Sequence, residues 1–269
     1  MTALTLCGCG WLGKQLAATA STTDIIGTTQ RADNVSALRQ LGVTPFTFQL
    51  GDDVSQLTQA AKHSTVVLNI PPGARKKPLD PEFVPQMCAL IDEFFANDAS
   101  ALIFISTTAV YGDSENTVTE KTPVAPTTPS GKAHVEIEQH LLRQYSHKAA
   151  VFRLAGLVGA DRHPVNFLAG RQLDKGEQVV NLVHGEDVCS AIHQWLSNPE
   201  FGITYHLCSL EHPKRGDYYP ACARQRSLAE PEFNEGYEML SPAGKRIDAT
   251  ASWQRLGLTP TYASPYDMI

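Results

Sequence analysis

The sequence predicts an α/β fold built on a doubly wound parallel sheet, and three observations support this. Short apolar runs typical of buried parallel strands alternate with amphipathic helical patterns along the chain. The first apolar run ends in a glycine-rich turn that opens a helix. A length of 269 residues with 42% apolar side chains suffices for one large domain with a smaller appendage. The alternation favours a sheet with helices on both faces.

Taken in order, the patterns predict strands and helices that alternate up to residue 105 and again near the C-terminus. Strands are expected at residues 4–7, 24–27, 44–50, 65–70, 101–105 and 202–209. Helices are expected at residues 14–19, 34–41 (with Asn34 as N-cap), 54–62, 82–97, 186–197 and 212–225. We expect residues 1–160 and 181–210 to form the body that contains this sheet, and residues 161–180 and 211–269 a small α+β lobe.

The glycine-rich turn has the spacing G-x-G-x-x-G, with Gly8, Gly10 and Gly13 between a strand and a helix. In this context the first glycine allows the tight turn and the second lets the backbone approach a pyrophosphate. The third lets helix and strand pack closely, while the helix N-terminus faces the anion. The turn, including Trp11 and Leu12, therefore predicts dinucleotide binding, with an ordinary glycine turn as the alternative.

Residues after later strands complete the predicted cofactor site. Arg31 follows the second strand, where a basic side chain suits the 2′-phosphate of NADP(H) and an acidic one would suit the ribose of NAD(H). We therefore expect NADP(H), although a solvated loop arginine is the alternative. Asn69, Pro71 and Ser106 stand at the ends of two further strands and are expected to border the same cleft.

Composition excludes several other classes. A net charge of −6 gives no reason to expect a nucleic acid or an anionic membrane as partner. The sequence lacks both an apolar run of the roughly 18 residues needed to cross a bilayer and a signal-peptide pattern, so a cytoplasmic location is expected. The six cysteines lack C-x-x-C spacing and are expected to be small buried hydrophobes.

Three further segments carry a resemblance to a known family. S-T-T-A-V-Y-G-D at residues 106–113, F-R-L-A-G-L-V-G at 152–159 and N-L-V-H-G-E-D-V at 181–188 follow the glycine turn in order. Together these segments resemble the extended short-chain dehydrogenase/reductases, which include sugar-nucleotide epimerases and dehydratases. The resemblance covers nearly the whole chain and implies a Rossmann fold that binds NAD(P).

The resemblance also implies catalytic positions, at which this sequence departs from the family. Members use a Ser or Thr hydroxyl with a Tyr-x-x-x-Lys pair, in which the lysine lowers the pKa of the tyrosine. Thr107 falls at the hydroxyl position, but Ser130 and His134 stand where Tyr and Lys are expected. The chain therefore resembles an atypical branch of the family. Either His134 serves as the acid/base beside Ser130, or the usual catalysis is lost and His134 is a partly exposed helix residue.

Other positions are weighed on the same basis. Arg162 resembles an arginine that faces a substrate phosphate, with a plain loop arginine as the alternative, and His184 joins it as a candidate substrate residue. A zinc site from His134, Glu138 and His140 is disfavoured because neither a cysteine nor a third histidine is nearby. In relatives, the helices matching residues 82–97 and 130–144 form a dimer interface, so the resemblance implies a homodimer.

Two function classes stay open. The first is an NAD(P)-binding reductase, epimerase or dehydratase that acts on a small carbonyl or sugar-nucleotide substrate. The second is a catalytically silent NADP(H)-binding sensor or regulatory protein, which an intact glycine turn beside an absent Tyr/Lys pair would favour. A weaker reading is S-adenosylmethionine binding, since methyltransferases also use glycine-rich turns; the regular glycine spacing and the family segments argue against it.

Overall fold

The computed structural model describes residues 3–22, 24–73 and 78–269. Its strands are β1 (Leu4–Cys7), β2 (Ile25–Thr29), β3 (Val43–Thr47), β4 (Thr65–Leu68), β5 (Ala101–Thr107), β6 (Thr117–Val118), β7 (Ala149–Leu154), β8 (Gly156–Val158), β9 (Gln172–Leu173), β10 (Leu182–His184), β11 (Thr204–Leu207), β12 (Glu232–Phe233) and β13 (Arg246–Ile247). Its α-helices are α1 (Trp11–Thr19), α2 (Val35–Gln40), α3 (Ser55–Ala60), α4 (Phe83–Ala96), α5 (Pro129–Tyr145), α6 (Val165–Leu168), α7 (Gly185–Ser197), α8 (Arg215–Gln225) and α9 (Thr250–Leu256).

The central sheet has seven strands in the order β11-β7-β5-β4-β1-β2-β3. Strand β1 pairs in parallel with β2 on one side and with β4 on the other. The chain first builds the sheet outward through β2 and β3 and then returns to the other side of β1 with β4. This reversal places a topological switch point between β1 and β4, where such sheets bind their ligands. The predicted doubly wound Rossmann fold is confirmed.

The predicted elements differ from the observed ones mainly at their ends. Asn34 does not cap α2 through its side chain: it lies in a short 3-10 turn over Ala32–Asn34, and its side chain contacts Lys14 and Thr29 instead. A tertiary contact has here replaced a local capping bond. The helix expected from residue 212 begins at Arg215.

Contacts divide the chain into two compact units. Unit 1 comprises Met1–Val110, Pro126–Arg153 and Ile192–Tyr205, and unit 2 comprises Tyr111–Ala125, Leu154–Ala191 and His206–Ile269. In unit 1, α4 and α5 pack on a core that includes Met87, Phe94 and Phe104. In unit 2, α8 supplies Tyr218 and Cys222 to a second core. The domain bounds expected from the sequence stay a prediction.

Two expectations about composition can be compared with the structure. Five of the six cysteines are buried and Cys88 is half-buried, and all six are free thiols, as expected of small hydrophobes. Across residues 3–22, 24–73 and 78–269, the helices are too short or too polar for a membrane span.

Candidate dinucleotide site

The turn after β1 owes its shape to Gly8. Its φ of +95° lies in the region that L side chains rarely adopt. A Cβ at Gly8 would lie 2.2 Å from the carbonyl oxygen of Asn69, which follows β4. The turn is held from β2, where Thr28 Oγ1 accepts the Gly8 N–H at 2.7 Å and the Thr28 carbonyl accepts the Cys9 N–H at 2.9 Å. The backbones that follow β1 and β4 therefore touch at the switch point.

Gly10 presents its backbone to open space at the start of α1. It is the N-cap of the helix and is exposed, and a Cβ built on it would meet, among the described residues, no atom within 4 Å apart from its chain neighbours and its own helix. The first turn of α1 carries no acidic side chain that would oppose the positive end of the helix dipole. The geometry fits the close approach of an anion such as a pyrophosphate.

The other two predicted glycine-turn features lie beside this opening. Gly13 lies against Cys9, whose Sγ would be 3.2 Å from a Cβ at Gly13, so α1 packs close to the turn. Trp11 is half-buried and Leu12 is buried in the first turn of the helix. Burial raises the pKa of the Cys9 thiol to about 11, which keeps it protonated and uncharged beside the turn.

Arg31 is placed at the β2 edge of the site and is paired with a carboxylate. Its Nε donates to Asp33 Oδ1 at 3.0 Å and its Nη2 donates to Asp33 Oδ2, while both side chains are exposed. The pair raises the pKa of Arg31 and lowers that of Asp33. A 2′-phosphate binding here would share Arg31 with Asp33, a residue that the sequence analysis did not consider.

The ends of β4 and β5 carry the remaining predicted cofactor residues. Asn69 is half-buried and its N–H donates to the Cys7 carbonyl at 2.8 Å, whereas Pro71 is exposed. Ser106 is buried, and its hydroxyl donates to Glu138 Oε1. Of these three, only Asn69 makes a described contact with the glycine turn.

The end of β5 and the start of α5 lie against each other. Thr107 Oγ1 accepts the N–H of Ala109 at 3.1 Å, a bond that leaves its own hydroxyl proton available to donate. Gly131, in the first turn of α5, is so close to this segment that a Cβ would lie 2.9 Å from the Ala109 carbonyl oxygen. The fold thus brings Ser130, the residue before Gly131, to the segment that follows Thr107.

His134 is buried, with an exposed fraction of 7%, and so the expectation of a partly exposed helix residue is wrong. Its ring stacks on Phe104 of β5 with 5.8 Å between ring centroids. The Ser130 carbonyl oxygen lies 2.8 Å from Nδ1, so Nδ1 carries the proton and Nε2 the lone pair. Burial lowers the pKa of His134, which favours the neutral ring.

A buried ion pair that was not predicted from the sequence lies beside this histidine. Arg153 of β7 donates to Glu138 of α5 through Nε, at 3.1 Å to Oε1 and 3.2 Å to Oε2, and through Nη2, at 2.6 Å to Oε2. Both residues are buried. The sequence does contain a pattern that indicates this pair. An arginine lies inside an apolar strand and a glutamate lies on the apolar face of a helix, and buried charges of this kind are usually paired.

The two candidate substrate residues belong to unit 2. Arg162 is exposed and its Nε donates to the Leu157 carbonyl at 3.2 Å across a tight turn. His184 is buried and stacks on Tyr262 with 3.8 Å between ring centroids, and its Nδ1 accepts the Glu186 N–H at 3.3 Å. Burial lowers the pKa of His184. Among the described residues, no cluster of His, Cys, Asp and Glu could hold a metal ion.

With a doubly wound sheet and an open glycine turn at its switch point, the chain has the architecture of a dinucleotide-binding protein. The model of the NAD dependent epimerase/dehydratase family matches residues 7–208, and the chain belongs to this family. The predicted resemblance to extended short-chain dehydrogenase/reductases is confirmed at the level of the family.

Among individual proteins, the chain is similar to Protein YeeZ of Escherichia coli strain K12, with 35% identity over the whole of this chain and 99% of that protein. In structure it is similar to UDP-glucuronic acid 4-epimerase from Bacillus cereus in complex with NAD (18% identity, 100% of this chain and 96% of the other, TM-score 0.77). It is also similar to DesIV, a dTDP-glucose 4,6-dehydratase from Streptomyces venezuelae with NAD and TYD bound (17% identity, 100% and 94% coverage, TM-score 0.76).

Proposed function

We propose that this protein binds a nicotinamide dinucleotide at the turn formed by Gly8, Gly10 and Gly13 and acts as a reductase or epimerase on a small carbonyl or sugar-nucleotide substrate. The open space over the Gly10 backbone carries the proposal, because a pyrophosphate needs backbone that no side chain covers. Two structural neighbours, whose descriptions name NAD, support this choice of ligand.

We propose NADP(H) rather than NAD(H) as the preferred cofactor, because a guanidinium stands at the β2 edge. Arg31 is exposed and its only described carboxylate partner is Asp33, whose charge opposes a phosphate. Removing Arg31 as Arg31→Gln is therefore expected to weaken NADPH binding about tenfold and leave NADH binding within about twofold. Asp33→Asn is expected to strengthen NADPH binding, since it removes a like charge from the site.

The cofactor test is a pair of calorimetric titrations with NADPH and NADH, run on the wild type and on the two variants. Trp11 fluorescence gives a second signal, for which Trp11→Phe is the control because Trp195 and Trp253 also emit. Micromolar NADPH binding with weaker NADH binding supports the proposal. Equal affinities that Arg31→Gln does not change would remove the preference for NADP(H), and binding of neither would remove the dinucleotide function.

We propose that Thr107 orients the reacting oxygen of the substrate and that His134 exchanges its proton. The nicotinamide, when bound, supplies the hydride chemistry of the family. The free proton of Thr107 can donate to a substrate oxygen. Since His134 is neutral with its lone pair on Nε2, it would first accept a proton from a substrate hydroxyl and later return it. Ser130 contributes the carbonyl oxygen that sets this tautomer.

Turnover is tested with NADPH and NADP+ on a panel of small carbonyls and of UDP- and dTDP-sugars. His134→Gln is expected to lower kcat more than a hundredfold and leave NADPH affinity unchanged. An active enzyme in which His134→Ala keeps full turnover would remove the proposed role. We further propose Arg162 and His184 as substrate contacts, a homodimer through α4 and α5, and a cytoplasmic location.

A specific observation favours a second function, that of a catalytically silent NADP(H) sensor. The positions of the family's tyrosine and lysine hold Ser130 and His134, and the His134 ring is buried with Nδ1 bound within its own helix. Tight NADPH binding without hydride transfer across the whole panel would favour the sensor. Hydride transfer to any member of the panel would exclude it.

A further inference from the structure

A single buried carboxylate ties together two strands and a helix of unit 1. Glu138 of α5 accepts the hydroxyl proton of Ser106, at the end of β5, and the guanidinium protons of Arg153, on β7. Its side chain is 4% exposed and that of Arg153 is 9% exposed. Arg153 engages both carboxylate oxygens, and Ser106 shares Oε1.

A buried ion pair is a poor source of stability by itself, because removing two charges from water costs much of what their attraction returns. Apolar side chains of similar size would fill this place at lower cost. The charged groups instead fix an orientation. The guanidinium of Arg153 holds the carboxylate of Glu138 in one plane, and this carboxylate orients the hydroxyl of Ser106. This serine lies near the end of β5.

Ser106 is adjacent in the chain to Thr107, and Glu138 lies one helical turn after His134. The His134 ring packs on Phe104, two residues before Ser106. Helix α5 is thus linked to β5 by the ring contact between His134 and Phe104 and by the hydrogen bond from Ser106 to Glu138. Both groups that we propose for proton chemistry, Thr107 and His134, are next to one of these contacts.

We propose that Glu138 is a positioning residue, which holds the Ser106 hydroxyl and with it the end of β5 in the geometry that receives the nicotinamide half of the cofactor. This inference rests on the proposed function. Because the Ser106 proton is committed to Glu138, Ser106 does not donate to a ligand. Instead of contacting the cofactor directly, Ser106 forms a clamp together with Glu138 and Arg153.

The order of strands in the sheet predicts which half of the cofactor the Ser106–Glu138–Arg153 clamp affects. Arg31 lies at the end of β2, on one side of β1, and the pyrophosphate is placed at the β1–α1 turn. In the order β5-β4-β1-β2, a dinucleotide with its adenosine half toward β2 extends its nicotinamide half toward β4 and β5. The clamp at β5 should therefore affect the nicotinamide half and leave the adenosine half unaffected.

The test compares two ligands that differ only in nicotinamide, NADPH and 2′-phospho-ADP-ribose, on Ser106→Ala, Glu138→Gln and the double variant. Ser106→Ala leaves the ion pair intact, and it carries the test if Glu138→Gln fails to fold. Glu230→Gln is the matched control, since Glu230 forms an exposed pair with Arg224 (Nη1 to Oε2, 2.6 Å). All proteins are titrated by calorimetry under the same conditions.

Each single variant is expected to bind NADPH about tenfold more weakly, and the double variant no more weakly than Glu138→Gln alone, because the two residues act through one bond. Binding of 2′-phospho-ADP-ribose should stay within about twofold. Equal losses for both ligands, multiplying losses in the double variant, or unchanged NADPH binding by Ser106→Ala would overturn the proposal.

Amide hydrogen exchange separates failure of this inference from failure of the proposed function. If the wild type binds neither ligand, the proposed function fails, but the clamp can still be measured. Exchange at residues 105–107 should then be faster in Ser106→Ala than in the wild type and in Glu230→Gln. Unchanged exchange at these residues would overturn the positioning role by itself.

Discussion

Gly10→Ala separates ligand binding from folding more sharply than any other single change to the glycine turn. Among the described residues, nothing beyond the chain neighbours of Gly10 and the backbone of its own helix lies within 4 Å of the added methyl group. The φ of −82° at Gly10 is an ordinary value, but its ψ of −143° lies outside the preferred α and β regions, so alanine brings some backbone strain. Alanine at a helix N-cap costs about 1 kcal/mol or less relative to glycine. The free energy of unfolding should therefore fall by about 1–2 kcal/mol, less than for Gly8→Ala.

The same methyl group occupies the place where a pyrophosphate would approach the Gly10 backbone. Loss of one close backbone contact to an anion corresponds to about 1.5–3 kcal/mol, or roughly 10- to 150-fold in affinity. We expect NADPH and NADH to lose affinity by this factor together, because the pyrophosphate is common to both. Calorimetric titration measures the affinity, and urea unfolding followed by circular dichroism measures the stability.

Gly8→Ala is the matched comparison and should behave in the opposite way. At φ +95° an alanine costs about 1–3 kcal/mol in backbone strain, and its Cβ would lie 2.2 Å from the Asn69 carbonyl oxygen. We expect it to lose about 3 kcal/mol or more of stability. Undiminished dinucleotide binding by Gly10→Ala, with the fold intact, would refute the assignment of the turn as the pyrophosphate site.

Two further predictions concern stability. Burial lowers the pKa of His163 in the folded protein to about 4, from the usual value near 6.5. Between these two values the unfolded chain binds a proton at this histidine and the folded protein does not. The free energy of unfolding should therefore fall as the pH drops from about 6.5 to 4. His163 should contribute about 2 kcal/mol to this fall after allowance for partial hydration. Urea titrations of His163→Asn should therefore show a free energy of unfolding that depends less on pH across that range. An unchanged pH dependence would contradict the lowered pKa of His163. Glu138→Ala should cost about 3–5 kcal/mol because it removes the carboxylate that neutralises the buried guanidinium of Arg153. Glu138→Leu combined with Arg153→Met should cost less than Glu138→Ala; a costlier pair of substitutions would show that the charges themselves stabilise the fold.

Local patterns were sufficient to predict the sheet and the glycine turn. The strands β1, β4 and β5 are buried on both faces of the sheet, and a strand buried in this way is a continuous apolar run. Their composition alone therefore predicts that they are central strands. The strand–turn–helix context of Gly8, Gly10 and Gly13 likewise depends on neighbours in the chain. The chemistry at these positions stays a prediction.

The features that could not be predicted from the sequence depend on contacts between residues far apart in the chain. The exposure of His134 was misjudged because helical periodicity gives a face but not the depth of a ring against Phe104, 30 residues earlier. The clamp joins Ser106, Glu138 and Arg153, and no pattern within one element links them. The pairing of Arg31 with Asp33 was not predictable because the two side chains meet in a loop, where no helical or strand periodicity indicates which groups face each other.

The strand order also has a consequence for the growing chain on the ribosome. In the finished sheet β7 lies between β5 and β11, but β7 ends at Leu154 and β11 begins only at Thr204. At about 5–20 residues per second, several seconds of synthesis pass while the far edge of β7 has no partner. An apolar strand with an open edge invites pairing with other chains. Expression variants that end before residue 204 should therefore be prone to aggregate, and slow translation between β7 and β11 should lengthen the nascent protein's dependence on chaperones.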